Sequence, residues 1–184
     1  MSLESAPAKH RLFFALWPPA ALQTWLAVVA HDLQGELGGK MTRADSIHLT
    51  LVFLGDVLST RLDEVVAIGD AVRWHRFTLT IDTCGCWVHN RIAWAAPEGT
   101  PPALTELVTE LQTRVRGLGF AIDERPYAPH ITLVRKASRP RRKARMEIAE
   151  QWPVEDFALV RSQLDAQGSR YSVIRRWPCE PQPG

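Results

Sequence analysis

Two short stretches of this sequence are near copies of one another. His48-Leu49-Thr50-Leu51-Val52 and His130-Ile131-Thr132-Leu133-Val134 lie 82 residues apart. Aliphatic and β-branched residues dominate both, so each begins a predicted strand. Strand side chains alternate between faces, which puts the His and Thr of each copy on one face. Leu49 and Leu51, or Ile131 and Leu133, then point oppositely into apolar packing. Packing alone gives no reason to repeat a histidine and a threonine at equivalent places. If a pseudo-twofold arrangement brings the two faces together, one pocket holds both imidazoles and both hydroxyls.

The elements around the motifs are legible from periodicity. Arg11 to Trp17 reads as a buried strand stopped by Pro18-Pro19. Leu22, Trp25, Leu26, Val29, Leu33 and Leu37 then recur at helical spacing until Gly38-Gly39. His48 to Leu54 is a strand closed by Gly55, and Thr60 to Val72 a second helix with Leu62, Val65, Val66 and Ile68 inward. Phe77 onward to Trp87-Val88 and Ile92 to Ala96 form a hairpin about Asn90-Arg91. Pro101-Pro102 open a third helix carrying Leu104, Leu107, Val108, Leu111 and Val115, and His130 to Val134 is the next strand. A basic segment follows, and Phe157 to Leu164 with Tyr171 to Trp177 close the chain as a hairpin. The pattern is α+β with hairpin-connected strands. At 184 residues the chain fits one domain, or two small lobes sharing a core.

Several classes are excluded or disfavoured. The chain has no Gly-rich phosphate loop, so nucleoside triphosphate and dinucleotide chemistry has no support. Cys84, Cys86 and Cys179 make an odd set without zinc-site spacing, so reduced thiols and no metal are expected. No apolar run reaches a membrane span and the first nine residues lack a signal-peptide core, which makes the cytoplasm the expected location. Although the net charge is only +2, Arg135, Lys136, Arg139, Arg141, Arg142, Lys143 and Arg145 form a block with no acid among them. Such a block fits either a local anionic partner or a solvated loop.

Two imidazoles in one pocket can hold opposite protonation states, one removing a proton while the other donates one. Threonine hydroxyls can donate to the non-bridging oxygens of a phosphate held between them. This chemistry needs no cofactor. His10, His31, His75 and His89 lack such a partner and read as surface or structural residues.

The paired H-x-T motifs resemble those of the two-histidine (2H) phosphoesterases. R-L-F-F-A-L at Arg11 to Leu16, H-L-T-L-V-F-L-G at His48 to Gly55, P-H-I-T-L-V-R at Pro129 to Arg135 and Y-S-V-I-R-R-W at Tyr171 to Trp177 are similar to the bacterial RNA 2′,3′-cyclic phosphodiesterase branch, also called 2′-5′ RNA ligase. The resemblance implies a bilobal α+β fold of two pseudo-symmetric antiparallel-sheet lobes, with helices outside and a central cleft. It implies hydrolysis of 2′,3′-cyclic phosphate ends to 2′-phosphomonoesters, with reversible 2′-5′ ligation a further possibility. By motif position His48 is the proton donor and His130 the acceptor, Thr50 and Thr132 hold the phosphate, and Arg135 adds a charge-assisted contact. Phe14 and Tyr127 are candidates to stack on a base, with ordinary core the better reading of Phe14. Expected partners are RNA with cyclic phosphate ends or cyclic nucleotides, bound by a monomer. Other readings stay open: an enzyme for 2′-5′ oligonucleotides or small cyclic nucleotide phosphates, or an RNA-end-binding module with little turnover.

Overall fold

A computed structural model of the chain describes residues 8–139, 142–165 and 168–180. Strand β1 (Lys9–Leu16) is followed by helix α1 (Ala20–Leu37), the two-residue strand β2 (Lys40–Met41) and β3 (Leu49–Leu58). Helix α2 (Leu62–Ala71), the hairpin β4 (Phe77–Trp87) and β5 (Ile92–Ala96), and α3 (Pro102–Gly117) come next. Then follow β6 (Ile131–Arg135), β7 (Ala144–Val154), β8 (Asp156–Asp165) and β9 (Gly168–Pro178). The helices form where the apolar spacing predicts. Leu22, Leu26, Ala30, Leu33 and Leu37 make the buried stripe of α1, which ends at Gly38 with φ 69° and an N–H bond to Gln34 O.

The strands make one open sheet in the order β7-β4-β5-β6-β3-β1-β8-β9, with β2 also on β6, and all pairings are antiparallel. Its two halves, β7-β4-β5-β6 and β3-β1-β8-β9, meet at the single pair Leu49↔Ile131. Those are the residues directly after the two motif histidines. The chain also crosses between halves. β4 and β5 follow the first motif but lie in the half of the second, β5 pairing with β6, and β8 follows the second but pairs with β1. Helix α1 packs on β6 and α3 on β3. All three helices lie against one sheet face in a single core running from Leu12 to Trp177. A small second cluster of Phe13, Ala15, Ala158 and Val160 covers the other face. Among the described residues no helix is long and apolar enough to cross a membrane.

Three details differ from the sequence reading. The stretch after the basic residues, to which the sequence reading assigns no element, is strand β7, paired to β4 from Phe77↔Val154 to Cys84↔Ala144. It is an edge strand carrying Pro153, with Trp152 and Val154 buried, so its pattern is too polar to stand out. Gly55 does not close β3. It takes φ 74° beside a register shift, and the strand continues to Leu58. Finally, Ser138 and Arg139 are docked rather than loose. Their N–H groups and the Ser138 hydroxyl bond Leu37 O, and the Arg139 guanidinium donates to Glu36 O at 3.1 Å. A cation there offsets the negative end of α1.

Candidate active site

His48 and His130 each sit one residue ahead of their strands. Nδ1 of His48 lies 2.7 Å from Ser46 O, and Nδ1 of His130 lies 2.9 Å from Ala128 O. In both cases the partner is the carbonyl two residues back. A carbonyl can only accept, so Nδ1 carries the proton and Nε2 is left as the nitrogen that titrates. The same local contact therefore fixes the same tautomer twice.

Thr50 and Thr132 are half-buried, whereas Leu49, Leu51, Ile131 and Leu133 are buried in the core, as strand alternation predicts. Arg135 needs one more device. Strict alternation would put it with Ile131 and Leu133, away from the threonine. Opposite Ala93 and Trp94, however, β6 advances from Val134 to Thr132, so Leu133 is an extra residue. This bulge shifts the parity: Leu133 and Val134 both turn to the core, and Arg135 returns to the Thr132 face. β3 does the same. Leu51 is extra opposite Phe14 and Ala15, Leu51 and Val52 are both buried, and Phe53 emerges beside Phe13 on the Thr50 face. Phe53 and Arg135 thus hold equivalent positions in the two halves.

The surroundings of the two rings differ. His48 stacks on Trp17 (5.3 Å between centroids, 2° between planes) and is flanked by Phe13 at 4.9 Å and Tyr171 at 5.0 Å. His130 meets the edge of Trp87 at 4.6 Å. Burial pushes His48 down to about 4, with the Ser46 carbonyl opposing and the charges of Arg135 and His130 adding to the depression. Burial also lowers His130, against the Ala128 carbonyl and with the Arg135 charge. The Arg135 charge therefore reaches both imidazoles.

Beyond the Leu49↔Ile131 pair, β3 and the loop ahead of β6 part. A cleft of about 390 Å³ opens there, lined by Thr50, Phe53, Trp87, Tyr127 and His130 among others. The Tyr127 hydroxyl donates to Thr50 O at 3.0 Å, tying that loop to the first motif strand. Burial raises the Tyr127 phenol, so it stays protonated. Phe14 is fully buried and packs on Phe157 and Trp177, so it cannot stack on a base. His89 is exposed, as its surface reading expects, and lines the cleft at the β4–β5 turn. The sequence reading also missed Phe13, Trp17, Phe53, Trp87 and Tyr171. A signal for the first pair existed: Phe13 and Trp17 share strand parity in β1 and the residue beyond it. Which strand they faced depended on the sheet order.

Of the basic block, Arg139 is the α1 cap and Arg142 and Lys143 are exposed. The Lys143 backbone passes Gly85, where an added Cβ would lie 3.2 Å from Lys143 Cα and 2.7 Å from the Trp94 ring. Arg141 falls outside the described residues.

The two-part layout recurs in comparison with known proteins. The family model described as LigT like Phosphoesterase matches twice, at residues 16–94 and 95–171, one motif to each stretch. The RNA 2′,3′-cyclic phosphodiesterase of Escherichia coli K12 is 30% identical over 91% of this chain and 96% of its own. The protein of the same name from Thermus thermophilus is 28% identical over 95% and 92%. A crystal structure of E. coli LigT complexed with 3′-AMP superposes with a TM-score of 0.88 at 29% identity, covering 95% of this chain and all of that one. The chain belongs to the LigT-like phosphoesterases, the two-histidine family to which its duplicated motif pointed.

Proposed function

We propose that this chain is a phosphodiesterase that opens RNA 2′,3′-cyclic phosphate ends to 2′-phosphomonoesters, with residues 1–184 acting as a single monomeric unit. The observation that carries the reading is the pair of imidazoles, each locked through Nδ1 to the carbonyl two residues back, on either side of a one-pair seam. Relatives over most of the chain are named for this activity.

In the proposed reaction, His130 Nε2 takes a proton from water, and the water oxygen attacks phosphorus. The P–O3′ bond breaks, and His48 Nε2–H protonates the departing O3′, leaving phosphate on O2′. The Thr50 and Thr132 hydroxyls and the Arg135 guanidinium donate to the non-bridging oxygens. The depressed pKa of His48 sets a condition on this division of labour. In the free enzyme the ring is neutral at pH 7, so the donor form must be loaded by the substrate. A phosphate anion against Nε2 supplies that bias by favouring the imidazolium.

The test is an oligonucleotide ending in a 2′,3′-cyclic phosphate, incubated with the full chain in chelator, with the product phosphate located. A 2′-phosphate is the expected result. A 3′-phosphate, or no product, would reject the proposed reaction.

A further inference from the structure

Arg135 ends β6, and the backbone bends at Lys136 directly after it while running on between Leu37 and Arg91. Lys136 has φ 58°, and Arg91, on the turn joining β4 to β5, has φ 57°. These are left-handed values that side-chain-bearing residues rarely adopt, and a backbone keeps them only where neighbouring contacts hold it. Arg91 supplies the contacts. Its Nε donates to Ala137 O at 2.9 Å and its Nη2 to Lys136 O at 3.2 Å, while the Ala137 N–H donates back to Arg91 O at 3.0 Å. The far side of the bend is closed by Gly39 at φ 97°, where a Cβ would stand 2.5 Å from Arg135 O. The carbonyls on both residues after Arg135 are thus gripped by one guanidinium, and Arg135's own carbonyl is packed against a residue with no side chain.

This arrangement bears on the site because the bulge at Leu133 only turns Arg135 to the correct face. It does not fix where the strand end lies along that face. We propose that Arg91 is a positioning residue for the reaction: by clamping the Lys136–Ala137 bend it holds Arg135 where its guanidinium meets the substrate phosphate. Arg91 itself spends two donors on backbone oxygens and acts through Arg135. The inference rests on the phosphate role given to Arg135 above.

A double-mutant cycle tests it. Arg91→Met and Arg91→Lys are made in the full chain, each with Arg135 present and with Arg135→Ala, and folding is checked by circular dichroism and thermal melting. Two quantities are read: kcat/KM for adenosine 2′,3′-cyclic phosphate and the affinity for adenosine 2′-monophosphate by calorimetry. With Arg135 present, Arg91→Met should weaken both by about tenfold, the scale of removing one charge-assisted hydrogen bond. In the Arg135→Ala background it should change either by less than about twofold, because its route to the substrate is gone. Lysine, which can bond one carbonyl but not fork across two, should fall between, and carries the test if the methionine variant does not fold. Equal losses in both backgrounds, or no loss with Arg135 present, would overturn the inference. A chain that binds the monophosphate but does not turn over the cyclic substrate would instead reject the proposed reaction, with the binding cycle still deciding the role of Arg91.

Discussion

The half built around His48 and the half built around His130 share a backbone plan. Each sets an imidazole one residue ahead of a strand, locks it to the carbonyl two residues back, and uses a bulge to bring a fifth residue onto the reactive face. They part company in what surrounds the ring. His48 is walled by Phe13, Trp17 and Tyr171, and its fifth residue is Phe53. His130 touches one indole edge, and its fifth residue is Arg135. The lesson is that duplicated geometry supplies two equivalent proton carriers, while unequal burial and aromatic packing set them apart, the Arg135 charge acting on both. A phosphate between them would meet a cation on one side and an aromatic wall on the other.

The strongest way to break this comparison is to remove each carrier. His48→Ala and His130→Ala should each lower turnover by roughly 10²–10⁴-fold, the usual range for losing a general acid or base. If one variant keeps near-normal turnover while folded, the two halves are not partners in one reaction.

The inequality of the rings is sharpened by pH. His48 titrates near 4 when folded, against about 6.5 for an ordinary histidine. As pH falls below about 6.5 the unfolded chain takes up the proton first, so stability present above that pH is lost progressively down to about pH 4. The loss attributable to this one group should be about 2–4 kcal/mol. Denaturant melts should show that slope, and His48→Asn should flatten it. In kinetics, kcat/KM should be bell-shaped in pH, with the limbs of kcat at higher pH because bound phosphate favours imidazolium. A single rising limb abolished by chelator would point to a metal-bound hydroxide and sink the scheme.

The threonines probe what remains equivalent. Thr50→Ala and Thr132→Ala should each cost about 1.5–3 kcal/mol of transition-state stabilisation, the worth of one hydrogen bond to a charged group. Comparable values would mark the two hydroxyls as a matched pair. A large imbalance would show that the phosphate sits in one half only.

The smallest effect concerns the basic segment. Replacing Arg142 and Lys143 by glutamine should lower the logarithmic salt slope for a longer RNA by roughly 0.7 for each phosphate no longer neutralised, and leave a cyclic mononucleotide unchanged. Arg139 is excluded because its cap on α1 would confuse stability with binding. An equal response from both substrates would place the segment in the pocket or its folding.

Much of this molecule was legible in the linear chain because its signals are local. The 3.6-residue periodicity of α1 and α3 follows from which side chains one helix face must bury. The alternation around Thr50 and Thr132 follows from the strand repeat, and a repeated His-x-Thr has no packing explanation. What the sequence could not decide depends on contacts between distant residues. β7 was hidden because its polar stretch, interrupted by Pro153, carries no clear alternation. The aromatic wall of His48 joins Phe13 and Trp17 to Tyr171, from the opposite end of the chain. The bulges that restore Arg135 and Phe53 to the reactive face exist only as a mismatch between paired strands, so no single strand encodes them legibly. Periodicity thus determined which faces are polar and which residues could carry protons. Pairing across the sheet decided which of them meet, how deeply each is buried, and therefore how each one titrates.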